Sequence, residues 1–161
     1  MAERVLRPLA APGAPGAWYR GFRVMALDAV AWTWLTRRPT PRSGYPGASR
    51  GQTALPQARL LGLVECGTRA VVAAGIAPYS RSEQAMAAEL LPARLRADML
   101  VLADRNFYDF KLWQTTCASG AKLAWRVKSN LGLPVQQLLP VGSYPALSST
   151  APSARGDQGN W

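Results

Sequence analysis

A run of four apolar residues, Met99 to Leu102, leads almost directly into Asp104 and restricts the fold more than any other part of the sequence. An unbroken apolar run of this length predicts a strand that is buried on both faces, as in sheets covered by helices. A carboxylate at the end of such a strand is held rigidly, and this placement suits metal-dependent phosphoryl chemistry. A helix cap or a loop aspartate is the alternative interpretation of Asp104, and position alone favours it.

The composition indicates one folded domain with an anionic partner. The chain has 161 residues, 48% of them apolar, and a formal net charge of +10. That length suits a single hydrophobic core. Most of the basic residues are arginine, whose planar guanidinium matches phosphate, so nucleic acid is the leading partner. A GC-rich gene would also raise the arginine content without any binding role, and this explanation stays open.

Several classes of protein are excluded or disfavoured by what the sequence lacks. It contains two cysteines, Cys66 and Cys117, and no histidine. Zinc sites built from cysteine and histidine and catalytic triads that need histidine are therefore excluded, so any catalysis would rest on carboxylates. No apolar run approaches the ~18 residues of a membrane span, and the N-terminus lacks a signal-like apolar region. We expect a cytoplasmic protein that does not contact a membrane.

Hydrophobic patterns and turn signals predict alternating strands and helices over most of the chain. In order, they predict a strand at 22–30, a hairpin of strands at 58–65 and 69–79, a helix capped by Ser80 or Ser82, a strand at 99–103, a helix at 108–119 ended by Gly120, and a strand at 121–129. A long loop is predicted at 36–57. This order indicates an α/β fold with a mixed sheet and flanking helices.

The sequence also predicts which parts of the chain lack order and which side chains share a face in one helix and one strand. Residues 1–21 and 131–161 are expected to be poorly ordered, because they lack a hydrophobic period. The helix at 108–119 is expected to bury Phe110, Trp113 and Cys117 on one face. In the last strand, Arg126 and Lys128 are expected to share a face opposite Trp125 and Val127.

Asp28, near the end of the first strand, and Asp104 are expected to lie side by side in the sheet. Two neighbouring carboxylates suit Mg²⁺ or Mn²⁺, which prefer oxygen ligands. Two such ions ~3.5–4 Å apart activate a water or hydroxyl and stabilise the leaving oxygen. A third carboxylate is less evident: Glu65 could face the site but is better interpreted as a surface or turn residue. Asp109 falls in the next helix, and Asp157 in the tail.

Four segments of the sequence occur together in an order that is typical of a known family. They are GAWYRGFRVMALD (16–28), PQARLLGLVECGTRAV (56–71), LVLADRNFYDFKLW (100–113) and AKLAWRVKSNLGLPV (121–135). Over residues 10–144 the chain resembles bacterial insertion-sequence transposases, and most closely the DDE transposases of the insertion sequence 4 family. The resemblance implies an RNase H-like mixed sheet with flanking helices, incomplete at its C-terminus, with the partial catalytic domain at 22–130.

The same resemblance implies a role for individual residues. Asp28 and Asp104 would be the first two acids of a catalytic Asp-Asp-Glu triad and would bind Mg²⁺ or Mn²⁺. The third acid, a glutamate on a later helix, would lie beyond the end of this chain. Arg105 matches the family's Asp-Arg-x-Phe/Tyr pattern, and Arg126 and Lys128 match a basic strand that would contact DNA phosphates. The implied partner is DNA at transposon ends, with a homodimer in the synaptic complex and a location at the bacterial nucleoid.

Residues 30–43 depart from the family's pattern after the first acid. When their codons are read one base out of register, the fixed bases permit Gly-Leu-Asp-Val-Ala-Asp-Thr-Pro-Ala-Asn-Ala-Ala, which is family-like. We therefore hypothesise that this stretch was translated from a shifted frame, restored near Gly44, and that the chain is a truncated copy. The hypothesis removes Arg37, Arg38 and Arg42 from the evidence for DNA binding.

Three functions follow from these observations as expectations. The first is a DDE transposase chain that lacks the third acid and is therefore catalytically incomplete. The second is a non-catalytic DNA-binding remnant that keeps Arg105, Arg126 and Lys128, whose binding should weaken steeply with salt. The third is a small metal-dependent nuclease, which would need Glu65 as a ligand beside Asp104. In each case we expect a marginal fold, because the altered stretch replaces part of what should cover the first strand.

Overall fold

The computed structural model describes residues 6–33 and 57–146. Its elements are β1 (Trp18–Tyr19), β2 (Phe22–Thr33), β3 (Gln57–Glu65), β4 (Val71–Pro78), α1 (Glu83–Leu90), β5 (Met99–Ala103), α2 (Phe110–Cys117) and β6 (Lys122–Trp125). Most of the predicted loop at 36–57, most of the stretch at 30–43 and the tail from 147 onward lie outside the described residues. Every predicted strand and helix has a counterpart, although several bounds differ.

The strands form one mixed sheet in the order β4-β3-β2-β5-β6, and β1 pairs with β2 beside this path. β2 is antiparallel to β3 and parallel to β5, and β6 is parallel to β5. The hairpin of β3 and β4 needs only a short turn, whereas each parallel pair is joined through a helix. The predicted α/β fold with a mixed sheet and helices is confirmed.

One face of the sheet carries the hydrophobic core, and both helices pack on that face. Met25 and Leu27 of β2 are buried there together with Val101 of β5, Met86 of α1 and Leu112 of α2. Alternate residues of a strand point to the same face, which explains why burial in β2 and β5 has a period of two. Each of these large side chains contributes about 1.5–3 kcal/mol when fully buried.

The apolar run in β5 is buried on the core face alone, among the residues that the structure describes. Met99 and Val101 are fully buried, whereas Leu100 is half-buried and the Leu102 side chain is 37% exposed. The prediction of burial on both faces is wrong for this part of the chain. The reason is that α1 and α2 lie on one side of the sheet, so the run is apolar without being enclosed.

Both helices begin at side-chain caps. Ser82, one of the two predicted caps, accepts a hydrogen bond at its Oγ from the Ala85 amide at 3.1 Å. Asp109 caps α2 by accepting a bond from the Leu112 amide at 3.0 Å, so this helix starts at 110 rather than 108. Gly120, with a φ of +81°, adopts the left-handed conformation that ends a helix, as predicted.

Two predictions about side-chain orientation are wrong. The buried residues of α2 are Leu112 and Thr116, whereas Cys117 is exposed. Trp113 is half-buried and packs against the core as predicted, so the core-facing side of the helix is centred on Leu112, Trp113 and Thr116 rather than on the predicted set. β6 ends at Trp125, which packs edge-to-face on Trp113 with ring centroids 5.3 Å apart. Residues 126–129 therefore do not continue the strand as predicted.

The N-terminal segment, which we expected to be poorly ordered, packs against the sheet over residues 6–21. Ala17 is completely buried, and its carbonyl oxygen accepts a hydrogen bond from the Val24 amide at 2.9 Å. Gly67 lies so close that a β-carbon built on it would be 2.5 Å from the Ala17 β-carbon. Only glycine fits at that point, and the close approach fixes the segment to the turn after β3.

Candidate active site

Asp28 and Asp104 occupy corresponding positions on the two adjacent parallel strands β2 and β5. The register of these strands pairs Leu27 with Ala103. Asp28 directly follows Leu27, and Asp104 directly follows Ala103. Neighbouring strands lie ~4.8 Å apart, so the two residues reach the same level, at which β5 ends while β2 continues to Thr33. The register ends one residue before both aspartates and agrees with the expectation that they lie side by side, while their catalytic role stays a prediction.

The space around Asp28 is open on the face opposite the core. Asp28 is exposed, whereas its neighbour Leu27 points into the core. Its Oδ1 accepts a hydrogen bond from the Ala29 amide at 2.8 Å. Across the sheet it is paired with Gly62, which has no side chain to fill the adjacent space. The carboxylate is therefore accessible to a cation or to a substrate phosphate.

Arg126 lies against Asp104 at the same end of the sheet. Its Nη1 is 3.5 Å from Asp104 Oδ1, and its amide donates to the Ala103 carbonyl oxygen at 3.0 Å. Both side chains are well exposed. Arg105 and Lys128 are also exposed, and neither forms an ion pair within the described residues. Two of the three predicted DNA-binding residues, Arg105 and Arg126, thus adjoin the second predicted acid.

Glu65 is not the surface residue that we favoured, and it does not face the two aspartates. It is completely buried and is paired in register with Met25, three residues before Asp28. Asp109 is committed to capping α2. Within the described residues, no group of three or more histidine, cysteine, aspartate or glutamate side chains is arranged to hold a metal ion. The small-nuclease interpretation loses the ligand that it required.

The Glu65 carboxylate instead joins the N-terminal segment to the sheet. It accepts hydrogen bonds from the Leu9 amide at 3.0 Å, the Ala10 amide at 2.8 Å, the Thr68 hydroxyl and the Arg23 guanidinium. Burial raises the pKa of Glu65, but these hydrogen bonds together outweigh burial and hold that pKa below its ordinary value of 4.5. An acid at the end of an alternating apolar strand was the only sequence signal for this network.

The two aspartates suit a hard divalent cation in part. Mg²⁺ is commonly bound by one or two carboxylates together with substrate phosphate oxygens, and Asp28 and Asp104 provide two such groups. The guanidinium of Arg126 beside Asp104 supplies positive charge at the same place. The two aspartates therefore offer two oxygen ligands, and one of them, Asp104, already has the Arg126 guanidinium as a counter-charge.

Comparison with known proteins leaves the function to be argued from this geometry. No family model matches the chain, and no curated protein matches it. None of the helices in the described ranges is long and apolar enough to cross a membrane.

Proposed function

We propose that this chain is a DNA transposase of the DDE type, with Asp28 and Asp104 as the first two acids of its active site. The observation that supports this most is the register of β2 and β5, which brings the two aspartates to one level where β5 ends. The strand order, in which the central strand β2 is parallel to β5 and antiparallel to β3, agrees with an RNase H-like fold.

In this proposal each residue near the sheet end has a distinct task. Asp28 and Asp104 hold Mg²⁺ or Mn²⁺, which when bound activates a water or 3′-hydroxyl and stabilises the leaving oxygen. Arg105 and Arg126 bind the DNA phosphates beside the acids, and Lys128 extends the positive surface beyond β6. DNA at transposon ends is the partner, a homodimer is the assembly, and the nucleoid is the place of action.

A non-catalytic DNA-binding chain is the second candidate. The ion pair of Arg126 with Asp104 favours it, because a guanidinium already neutralises the second acid. The absence of a third carboxylate beside the aspartates, within the described residues, favours it too. In a preorganised site, losing one electrostatic contributor costs about 10²–10³ in rate, so an incomplete set of acids cleaves slowly or not at all.

Cleavage of supercoiled DNA with Mn²⁺ separates the two candidates. For a transposase-type site we expect nicking that Asp28→Asn and Asp104→Asn each abolish. Asp98→Asn is the matched control, because Asp98 is an exposed aspartate at the opposite end of the sheet. Nicking that survives both active-site substitutions would refute the proposed roles.

DNA binding without metal decides the second candidate. We expect the affinity for a duplex to fall steeply with salt, and to fall further in Arg105→Gln and Arg126→Gln. Binding with no cleavage in any divalent metal supports the non-catalytic chain. A chain that neither cleaves nor binds DNA would exclude both candidates.

A further inference from the structure

We propose that the end of the sheet opposite Asp28 and Asp104 binds the phosphate backbone of a second DNA duplex. Four exposed basic residues, which we call the basic edge, define this surface: Arg20, Arg69, Arg96 and Lys122. The inference requires phosphate binding alone, and it stands whether or not the aspartates cleave DNA.

The topology brings these four residues to one edge, although they are far apart in sequence. Arg20 lies in the turn before β2, and Arg96 precedes β5. Lys122 is the first residue of β6, which runs parallel to β5. Arg69 lies in the turn that follows β3, and because β3 is antiparallel to β2 its end meets the starts of the other strands.

Backbone contacts join these turns into one surface. The Arg23 amide donates to the Asp98 carbonyl oxygen at 2.8 Å, which connects the start of β2 to the loop before β5. The Cys66 amide donates to the Val24 carbonyl oxygen at 3.0 Å, which fixes the end of β3 to β2. A β-carbon built on Gly120 would lie 3.1 Å from the Ala97 β-carbon, so the turn before β6 adjoins the same loop.

Positive charge is in excess at the basic edge in the described part of the chain. None of its four residues forms an ion pair there, whereas Arg23 is neutralised by the buried Glu65. Asp98 is exposed at the same end and offsets one charge. A surface with this excess attracts polyanions, and it raises the local concentration of phosphate groups.

Two of the arginines occupy backbone positions that favour glycine. Arg20 has a φ of 49° and Arg69 a φ of 58°, both in the left-handed region. A residue with a β-carbon pays roughly 1–2 kcal/mol there, and glycine would not. Strain that is retained at an exposed turn points to a use for the side chain. Here that use is to present a guanidinium at each turn, that of Arg20 lying 5.6 Å from the centroid of the Tyr19 ring.

The dimensions of the basic edge suit a DNA duplex. It extends across β3, β2, β5 and β6, and three spacings of ~4.8 Å give a width of about 14 Å. The major groove of DNA is about 12 Å wide, so side chains along this edge can reach phosphates on both of its sides. The predicted DNA-binding residues lie at the other end of the sheet, so one chain would hold a duplex at each end.

Duplex binding by a chain that lacks the predicted DNA-binding residues beside Asp104 tests the proposal directly. In a chain with Arg105→Gln, Arg126→Gln and Lys128→Gln, measured by fluorescence anisotropy in EDTA, we expect binding to a short duplex to persist. Adding Arg20→Asn, Arg69→Asn, Arg96→Gln and Lys122→Gln should abolish it, with the salt slope falling by about 0.9 for each lost phosphate contact. Asparagine is chosen at two positions because it tolerates a left-handed backbone.

Matched controls separate loss of binding from loss of folding. Lys111→Gln removes one charge from the exposed side of α2 and should leave the affinity unchanged, whereas Lys122→Gln should weaken it. Arg96→Lys keeps the charge and should preserve binding. Unchanged affinity after the four substitutions would overturn the proposal, as would no binding in the three-substitution chain.

A bridging measurement adds a second readout. Mixed duplexes carrying donor and acceptor dyes should show energy transfer with the wild-type chain and lose it when the basic edge is neutralised. Stronger binding to phosphatidylglycerol vesicles than to DNA would reassign the surface to a membrane and overturn the proposal. Failure of Mn²⁺-dependent nicking, with bridging intact, would count against the proposed transposase site alone.

Discussion

Arg126 and Asp104 meet because each follows a registered residue on neighbouring parallel strands. The register pairs Ala103 with Trp125, and the next residues along each chain are Asp104 and Arg126, whose charged atoms are 3.5 Å apart. Leu27 continues the same row on β2, and Asp28 follows it. Three strands thus present a carboxylate, a carboxylate and a guanidinium at one level.

Replacing Arg126 should strengthen divalent cation binding with little effect on folding. An exposed ion pair contributes about 0–1 kcal/mol, so Arg126→Gln should leave the free energy of unfolding almost unchanged. Removing the positive charge beside Asp104 favours a cation there, and Mn²⁺ titration calorimetry should show a lower Kd. Lys128→Gln, in which the lost charge has no ion-pair partner among the described residues, is the control. Weaker Mn²⁺ binding in Arg126→Gln would contradict the interpretation.

Glu65→Gln should destabilise the fold strongly. Glutamine keeps the size of the side chain but leaves the Arg23 guanidinium without its counter-charge, and breaking such a buried pair costs roughly 3–5 kcal/mol. Urea denaturation followed by circular dichroism measures the loss. Glu89→Gln removes an exposed partner of Arg81 and should cost less than about 1 kcal/mol. Equal losses in the two variants would show that the Glu65 network is not stabilising.

Acid should unfold the protein in part through the same carboxylate. The pKa of Glu65 is lower in the folded state than its ordinary value of 4.5, since hydrogen bonds outweigh burial. Its contribution to stability is therefore complete above that value and is lost as the pH falls through the folded-state pKa. Denaturation midpoints measured from neutral to acid pH should fall less in Glu65→Gln than in the wild type. Parallel curves for the two proteins would exclude this role.

Gly67→Ala should loosen the N-terminal segment. The added β-carbon would lie 2.5 Å from the Ala17 β-carbon and 2.6 Å from its amide nitrogen, and backbone atoms cannot move aside cheaply. We expect a loss of about 1–3 kcal/mol, as for other overpacked sites. Gly132→Ala is the control, because a β-carbon there meets nothing within 4 Å. Amide exchange should show faster opening at Val24 in Gly67→Ala only.

The sequence was sufficient for the element order and for the position of the two aspartates. Strands with a strong apolar pattern, such as β5, can be predicted from the local sequence, because that pattern does not depend on distant residues. Asp28 and Asp104 were expected to be neighbours because strands distant in sequence can be adjacent in a sheet, and β2 and β5 are adjacent, although β2 continues five residues beyond Asp28.

The role of Glu65 could not be predicted, because its partners come from three separate parts of the chain. Leu9 and Ala10 precede it by more than fifty residues, and Arg23 lies on a different strand. The core-facing side of α2 was predicted only in part, because Phe110, Trp113 and Cys117 have helical spacing in the sequence whereas packing on the sheet buries Leu112 and Thr116 beside Trp113. Both errors concern tertiary contacts that local patterns do not encode.

Glu65 and Asp28 lie on opposite faces of the sheet, Glu65 being paired with Met25 on the core face, and this separation has an evolutionary consequence. Asp28 and Asp104 are exposed and support no part of the core, so folding alone exerts no selection to keep them. Glu65 is retained by the need to fold, whatever the protein does. A lineage of such chains can lose its chemistry through a single substitution and continue to produce a folded protein that is open to another use.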